Sequence, residues 1–82
     1  MQLNLVTPDK LVFEGEISSV QLPGSTGSFE VLANHAPIIS SLGKGNVKVT
    51  SASGVENFMI DGGVVEVANN KVIVLAETLI EE

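Results

Sequence analysis

Residues 46–76 read NVKVTSASGVENFMIDGGVVEVANNKVIVLA. Val47 and Val49 alternate with Asn46, Lys48 and Thr50, and Phe58 and Ile60 alternate with Asn57 and Asp61. A two-residue period is the mark of a strand with one buried and one wet face. The pattern predicts strands at about 46–52, 55–61, 64–68 and 71–77, separated by Ser53-Gly54, Gly62-Gly63 and Asn69-Asn70. Each of these pairs suits a tight hairpin, because Gly and Asn accept the positive φ such turns need. Val72-Ile73-Val74-Leu75-Ala76 is apolar at every position, which predicts a central strand covered on both faces, by the core and by a partner.

Upstream, strands are expected near 2–7 and 16–22, with short pieces around Leu11 to Phe13 and Phe29 to Leu32, punctuated by Pro8-Asp9, Gly15 and Pro23-Gly24. The segment from Pro23 to Gly45 reads as a long constrained loop. Gly24 and Gly27 give its backbone access to φ > 0, while Pro23 and Pro37 fix φ and remove donors. A shaped loop on a rigid sheet is a usual place for a binding surface. No amphipathic helix of useful length is visible. Short strands recurring at this spacing point to an all-β fold, a β-sandwich or flattened barrel with hairpin connections.

With 82 residues, the chain is expected to form a single domain over residues 1–82, without a second one. Aromatic residues are 4% of it, with no Trp or Tyr, so Val, Ile, Leu and the three Phe must supply the core. There is no cysteine, which excludes disulfides, a thiolate nucleophile and thiolate-bound zinc. Ten acidic residues against four basic ones give a net charge of −6, which disfavours binding to nucleic acid or anionic lipid. No apolar run approaches the roughly 20 residues of a membrane-spanning helix, so no direct membrane insertion is expected.

Chemistry finds few footholds. His35 is the single histidine, which rules out a histidine metal cluster. Its expected role is to lock the Asn34-His35-Ala36-Pro37 turn through its ring nitrogens, alongside partner contact. Gly43-Lys44-Gly45 lacks the spacing and following helix of a phosphate loop and reads as a hairpin entry. Glu14 and Glu16 share one strand face without a third ligand, which reads as a solvated face. No catalytic or metal residue is assigned, and no cofactor is expected.

The run Leu22-Pro23-Gly24-Ser25-Thr26-Gly27-Ser28-Phe29-Glu30-Val31-Leu32-Ala33-Asn34-His35-Ala36-Pro37 resembles the signature of the ε subunit of F-type ATP synthases, called δ in mitochondria. The opening Leu3-Asn4-Leu5-Val6-Thr7-Pro8, Val12-Phe13-Glu14-Gly15, Asp61-Gly62-Gly63-Val64-Val65-Glu66-Val67 and Val72 to Ala76 fall in that family's order, so the resemblance covers essentially the whole chain. It implies a flattened sandwich of about ten short strands, a non-catalytic subunit of the central rotor that couples rotation of the membrane proteolipid ring to the γ subunit.

By motif, the resemblance implies that Gly24, Ser25, Thr26, Gly27 and Ser28 face the ring. Ser28 stands where many relatives carry an acidic residue. His35, Ala36, Pro37, Ile38, Ser40 and Leu42 correspond to the junction of γ and ring. Relatives commonly continue into a C-terminal helical hairpin that inhibits ATP hydrolysis. This chain stops before it, so neither hairpin-based inhibition nor a nucleotide site is expected. The lack of a transit peptide favours a peripheral subunit on the cytoplasmic face of a bacterial inner membrane, with the plastid thylakoid as the alternative. A lipoyl- or biotinyl-type carrier domain is the second reading. It would need a lysine at a hairpin tip, and Lys44 between two glycines is the nearest candidate.

Overall fold

The computed structural model describes residues 1–80, and among them every regular element is a strand. In chain order these are β1 (Gln2–Val6), β2 (Leu11–Glu16), β3 (Ser19–Gly24), β4 (Gly27–Leu32), β5 (Ile38–Ser51), β6 (Gly54–Ala68), β7 (Lys71–Ala76) and β8 (Leu79–Ile80). The hydrogen-bonded order is β2-β1-β7-β6-β5-β3-β4, with β8 on β6. All pairings are antiparallel except β1 with β7.

Two long strands turn this ladder into a sandwich. β5 and β6 pair from Ile38↔Val67 to Ser51↔Gly54 in one continuous register, interrupted only at Gly43 and Gly62. On one side of that point, the first half of β5 and the second half of β6 continue through β7 and β1 to β2. On the other, the second half of β5 and the first half of β6 lie between β3-β4 and β8. The molecule is therefore two five-stranded sheets that share two bent strands. Counting each half of β5 and β6 separately gives ten segments among the described residues, the number that the family resemblance implies.

The expected hairpin at Gly62-Gly63 does not form. Both glycines have positive φ, 110° and 149°, but they bend β6 between the two sheets instead of reversing it. Space as well as φ demands glycine there: a Cβ on Gly63 would collide with the Leu75 carbonyl oxygen and lie 2.9 Å from the Ala76 Cα. Asn69-Asn70 does reverse the chain, with both residues in the left-handed region at φ 52° and 60°, as a type I′ turn requires. Between β5 and β6 the reversal is at Ala52-Ser53, and Gly54 opens β6 with φ 120°.

Pro23 to Gly45 is not one long loop. It contains the end of β3, a two-residue turn at Ser25-Thr26, all of β4 and the start of β5, leaving Ala33–Pro37 as the irregular connection. Its glycines serve the turn and the bend: a Cβ on Gly24 would meet the Gly27 carbonyl oxygen at 2.5 Å, and one on Gly45 would meet the Pro23 ring at 2.6 Å. Gly43-Lys44-Gly45 is strand interior, with Lys44 opposite Asp61, rather than a hairpin entry. Gly15 likewise lies inside β2, opposite Leu3.

Inward residues of the two sheets form one apolar core. Leu3, Leu5, Val65, Val67, Val72 and Val74 from the first sheet meet Val20, Leu22, Val31, Val47, Val49 and Ile60 from the second, and each is at most 1% exposed. Burying one such side chain contributes about 1.5–3 kcal/mol before the entropy of ordering it is counted. The phenylalanines are not central. Phe13, Phe29 and Phe58 are half-buried at the margin, where Phe13 of the first sheet meets Phe58 of the second edge-to-face at 6.1 Å. No polar side chain is buried among the described residues.

Candidate partner-binding surface

Alternation along β1, β6 and β7 sends half of their side chains to the outside of the first sheet, and many of these are aliphatic. The register aligns Leu11, Val6, Leu75 and Val64 in one row across four strands, ending at Ser41 of β5. Leu11 is 52% exposed, Leu75 53% and Val64 42%, while Val6 is half-buried between its neighbours. The next outward row is Glu14, Asn4, Ile73, Glu66 and Ile39, where Ile39 is 74% exposed. The result is an uncovered aliphatic band bordered by carboxylates. A soluble surface leaves such contiguous apolar area uncovered mainly where something docks.

The β3–β4 tip extends this band. The Ser25 N–H donates to the Ser41 carbonyl at 3.2 Å, and the Ser25 and Ser41 hydroxyls are 2.8 Å apart. The segment Gly24 to Ser28 thus stands at the end of the aliphatic row, anchored to β5 by both backbone and side chain. Thr26, Gly27 and Ser28 are exposed.

The Ala33–Pro37 connection lies at the other end of β4, about 20 Å along a six-residue strand. Asn34 takes φ 64°, and its N–H donates to Asn70 Oδ1 at 2.8 Å. His35 is half-buried. Its N–H donates to the Leu32 carbonyl at 3.2 Å, and its Nδ1–H donates to the Ala36 carbonyl at 2.6 Å, so the ring holds its own turn as expected. Ala36 and Pro37 are exposed, and Pro37, Ile38, Ile39, Val67, Ala68 and Glu66 line a shallow, mainly apolar depression.

The expected site residues are therefore brought together only in part. Gly24 and Ser25 meet β5 at Ser41 and Leu42, whereas His35, Ala36 and Pro37 sit apart. Leu42 is 5% exposed and belongs to the core, so it supports the surface from beneath and offers no side chain to a partner. Ile38 and Ser40 are half-buried, because they share the inward phase of β5. Within the stretch Ile38 to Leu42 the exposed residues are Ile39 and Ser41, and Ile39 is the apolar one. Its signal was present: in Ile38-Ile39 a strand must turn one isoleucine outward. Val6, Leu11 and Val64 were missed because nothing local reveals that they align across strands.

The exposed aliphatic rows offer a surface for adhesion. Among the described residues no three His, Cys, Asp or Glu side chains gather as a metal site. Glu14 and Glu16 are exposed, the latter paired with the Met1 amino group. Lys44 projects from the middle of a strand and not from a hairpin tip, so it is not the lysine that a carrier domain requires.

Comparison with known proteins agrees with this architecture. The family model described as the β-sandwich domain of the ATP synthase delta/epsilon chain matches residues 1–82. The ATP synthase epsilon chain of Chlorobaculum tepidum is 47% identical over 76 residues, 92% of this chain and 86% of that one. That of Chlorobium limicola is 43% identical over 77 residues, 93% and 88%. For the epsilon chain of Leptospira borgpetersenii the identity is 34% over 77 residues, and this chain spans only 61% of its length. A chain of the Euglena gracilis mitochondrial ATP synthase shares the fold with a TM-score of 0.87 at 22% identity, over 95% of this chain and 51% of that one. A chain of the Tetrahymena thermophila mitochondrial ATP synthase, solved as central stalk and c-ring, does so with 0.82 at 23%, over 98% and 65%.

Proposed function

This chain belongs to the β-sandwich family of ATP synthase delta/epsilon chains, and from that premise we propose that it is a central-stalk subunit of an F-type ATP synthase, seated between the proteolipid ring and the γ subunit. The family match over all 82 residues carries the reading. Epsilon chains at 43% and 47% identity support it, as does the likeness in fold to a chain from an assembly solved as central stalk and c-ring.

In this role the protein makes and breaks no bonds. It is a peripheral subunit on the cytoplasmic face of a bacterial inner membrane, and it transmits rotation between two bodies that it grips. A protein of this kind needs a stiff interior and adherent surfaces. The interior is the continuous apolar core, close-packed and therefore slow to deform. For the surfaces we assign the Gly24 to Ser28 tip to the ring. His35, Ala36, Pro37, Ile38 and Ser40 form the junction, and the outer aliphatic band of the first sheet lies against γ. Apolar area at the centre of a contact with carboxylates at its rim is the usual anatomy of a stable protein interface.

Binding of the purified chain to the γ subunit of the same organism, measured by biolayer interferometry, tests the assignment. Leu75→Asp places a charge in the middle of the band and should weaken binding at least about tenfold. An unsubstituted chain that fails to bind γ, in a preparation whose γ still assembles with the other synthase subunits, would falsify the rotor reading.

A further inference from the structure

We propose that Asn70, in the β6–β7 turn, is a positioning residue that latches the Ala33–Pro37 connection into its partner-binding shape. The proposal rests on the rotor reading for what the connection binds, and on geometry for the latch itself. Asn34 occupies the left-handed region at φ 64°, a conformation asparagine tolerates better than other side chains but that is still one of several open to a short connection. A bond that selects it comes from 36 residues away: Asn70 Oδ1 accepts the Asn34 N–H at 2.8 Å.

Asn70 is suited to this by its own anchoring. It sits at φ 60° in the second position of a type I′ turn, and its carbonyl accepts the Gln2 N–H at 3.2 Å. One residue thereby joins β1, the β6–β7 turn and the connection. The other hydrogen bonds of the connection among the described residues are local, from the His35 N–H to Leu32 and from the His35 ring to Ala36. Local bonds shape a turn without fixing its direction relative to the sheets. The bond to Asn70 fixes that direction, and with it the approach of His35, Ala36 and Pro37 to a partner. Holding a loop in its bound shape raises affinity by lowering the entropy lost on binding.

The turn chemistry permits a clean test. Asn70→Gly produces Asn-Gly, the preferred type I′ pair, so the hairpin is retained while the acceptor is removed. Asn70→Asp keeps an oxygen acceptor and tolerates the left-handed region. Asn69→Gly changes the same turn without touching the latch. Two quantities are read for each: solvent exchange of the Asn34 amide by NMR in the free protein, and affinity for γ assembled with the proteolipid ring.

For Asn70→Gly the expected result is faster Asn34 exchange and an affinity reduced about three- to tenfold, the scale of one exposed hydrogen bond plus loop ordering, with Tm unchanged or raised. Asn70→Asp and Asn69→Gly should resemble the unsubstituted chain in both readings. Unchanged Asn34 exchange in Asn70→Gly overturns the latch, and faster exchange with undiminished affinity overturns the positioning role. If the unsubstituted chain itself does not bind, the rotor reading fails and the positioning role with it, while Asn34 exchange still decides the latch.

Discussion

Gly63 shows how closely one position ties local geometry to the whole sandwich. It combines φ 149° with no room for a side chain against Leu75 and Ala76. Gly54 has φ 120° but open space where a Cβ would go. Gly63→Ala is expected to lower the unfolding free energy by about 2–4 kcal/mol, strain and backbone collision together, whereas Gly54→Ala should cost about 1 kcal/mol from backbone strain alone. Urea titration of both variants distinguishes them, and equal losses would contradict this account. At this scale the sequence was legible as to kind but not use. Gly62-Gly63 announced positive φ, yet the same chemistry serves a reversal or a bend, and the choice depends on strands distant in sequence. The His35 turn was legible because its hydrogen bonds are made within three residues.

β7 has two unlike faces. Val74 is fully buried and Leu75 is 53% exposed, although they are adjacent. Val74→Ala should destabilise by about 1–3 kcal/mol through the lost methyl groups and the cavity they leave, with γ affinity intact in the folded fraction. Leu75→Asp should change stability by less than about 1 kcal/mol, as a surface substitution does, while losing the partner. Thermal unfolding paired with binding measurements separates the two faces, and a large fall in Tm for Leu75→Asp would place that side chain in the core instead. The central position of β7, between β1 and β6, was legible because no position in its run is polar. β5 was read only from residue 46 onward. Its first half contains Ser40, Ser41 and Gly43, which carry no strand signal of their own and are held extended by β6. That is why the stretch from Pro23 to Gly45 looked like one loop, and why the outward position of Ile39 was not seen.

Across the whole molecule, the sandwich depends on pairings between distant residues. β1 lies beside β7 in parallel, and this contact joins the beginning of the chain to residues 71–75. Folds built from such contacts close large loops before gaining stability, so refolding is expected in milliseconds to seconds rather than microseconds. Stopped-flow far-UV circular dichroism is the suitable probe, since the chain has no Trp or Tyr to report by fluorescence. A sub-millisecond refolding phase with full amplitude would contradict this topology. Composition and spacing were sufficient for the all-β class and for the Val, Ile and Leu core. They could not show that β5 and β6 belong to both sheets, because that follows from which halves find which neighbours.

The sharing of β5 and β6 has a mechanical consequence. In a sandwich whose sheets share no strand, a force applied to one face reaches the other through side-chain contacts and pliant connecting loops. Here the same two backbones run through both layers, cross-linked along nearly their full length by paired residues. A pull directed along them loads many backbone hydrogen bonds in shear at once, whereas a pull across them would unzip one bond at a time. The molecule is accordingly anisotropic, stiffest along the axis of its longest hairpin, and a twist received by one sheet is delivered to the other through covalent chain.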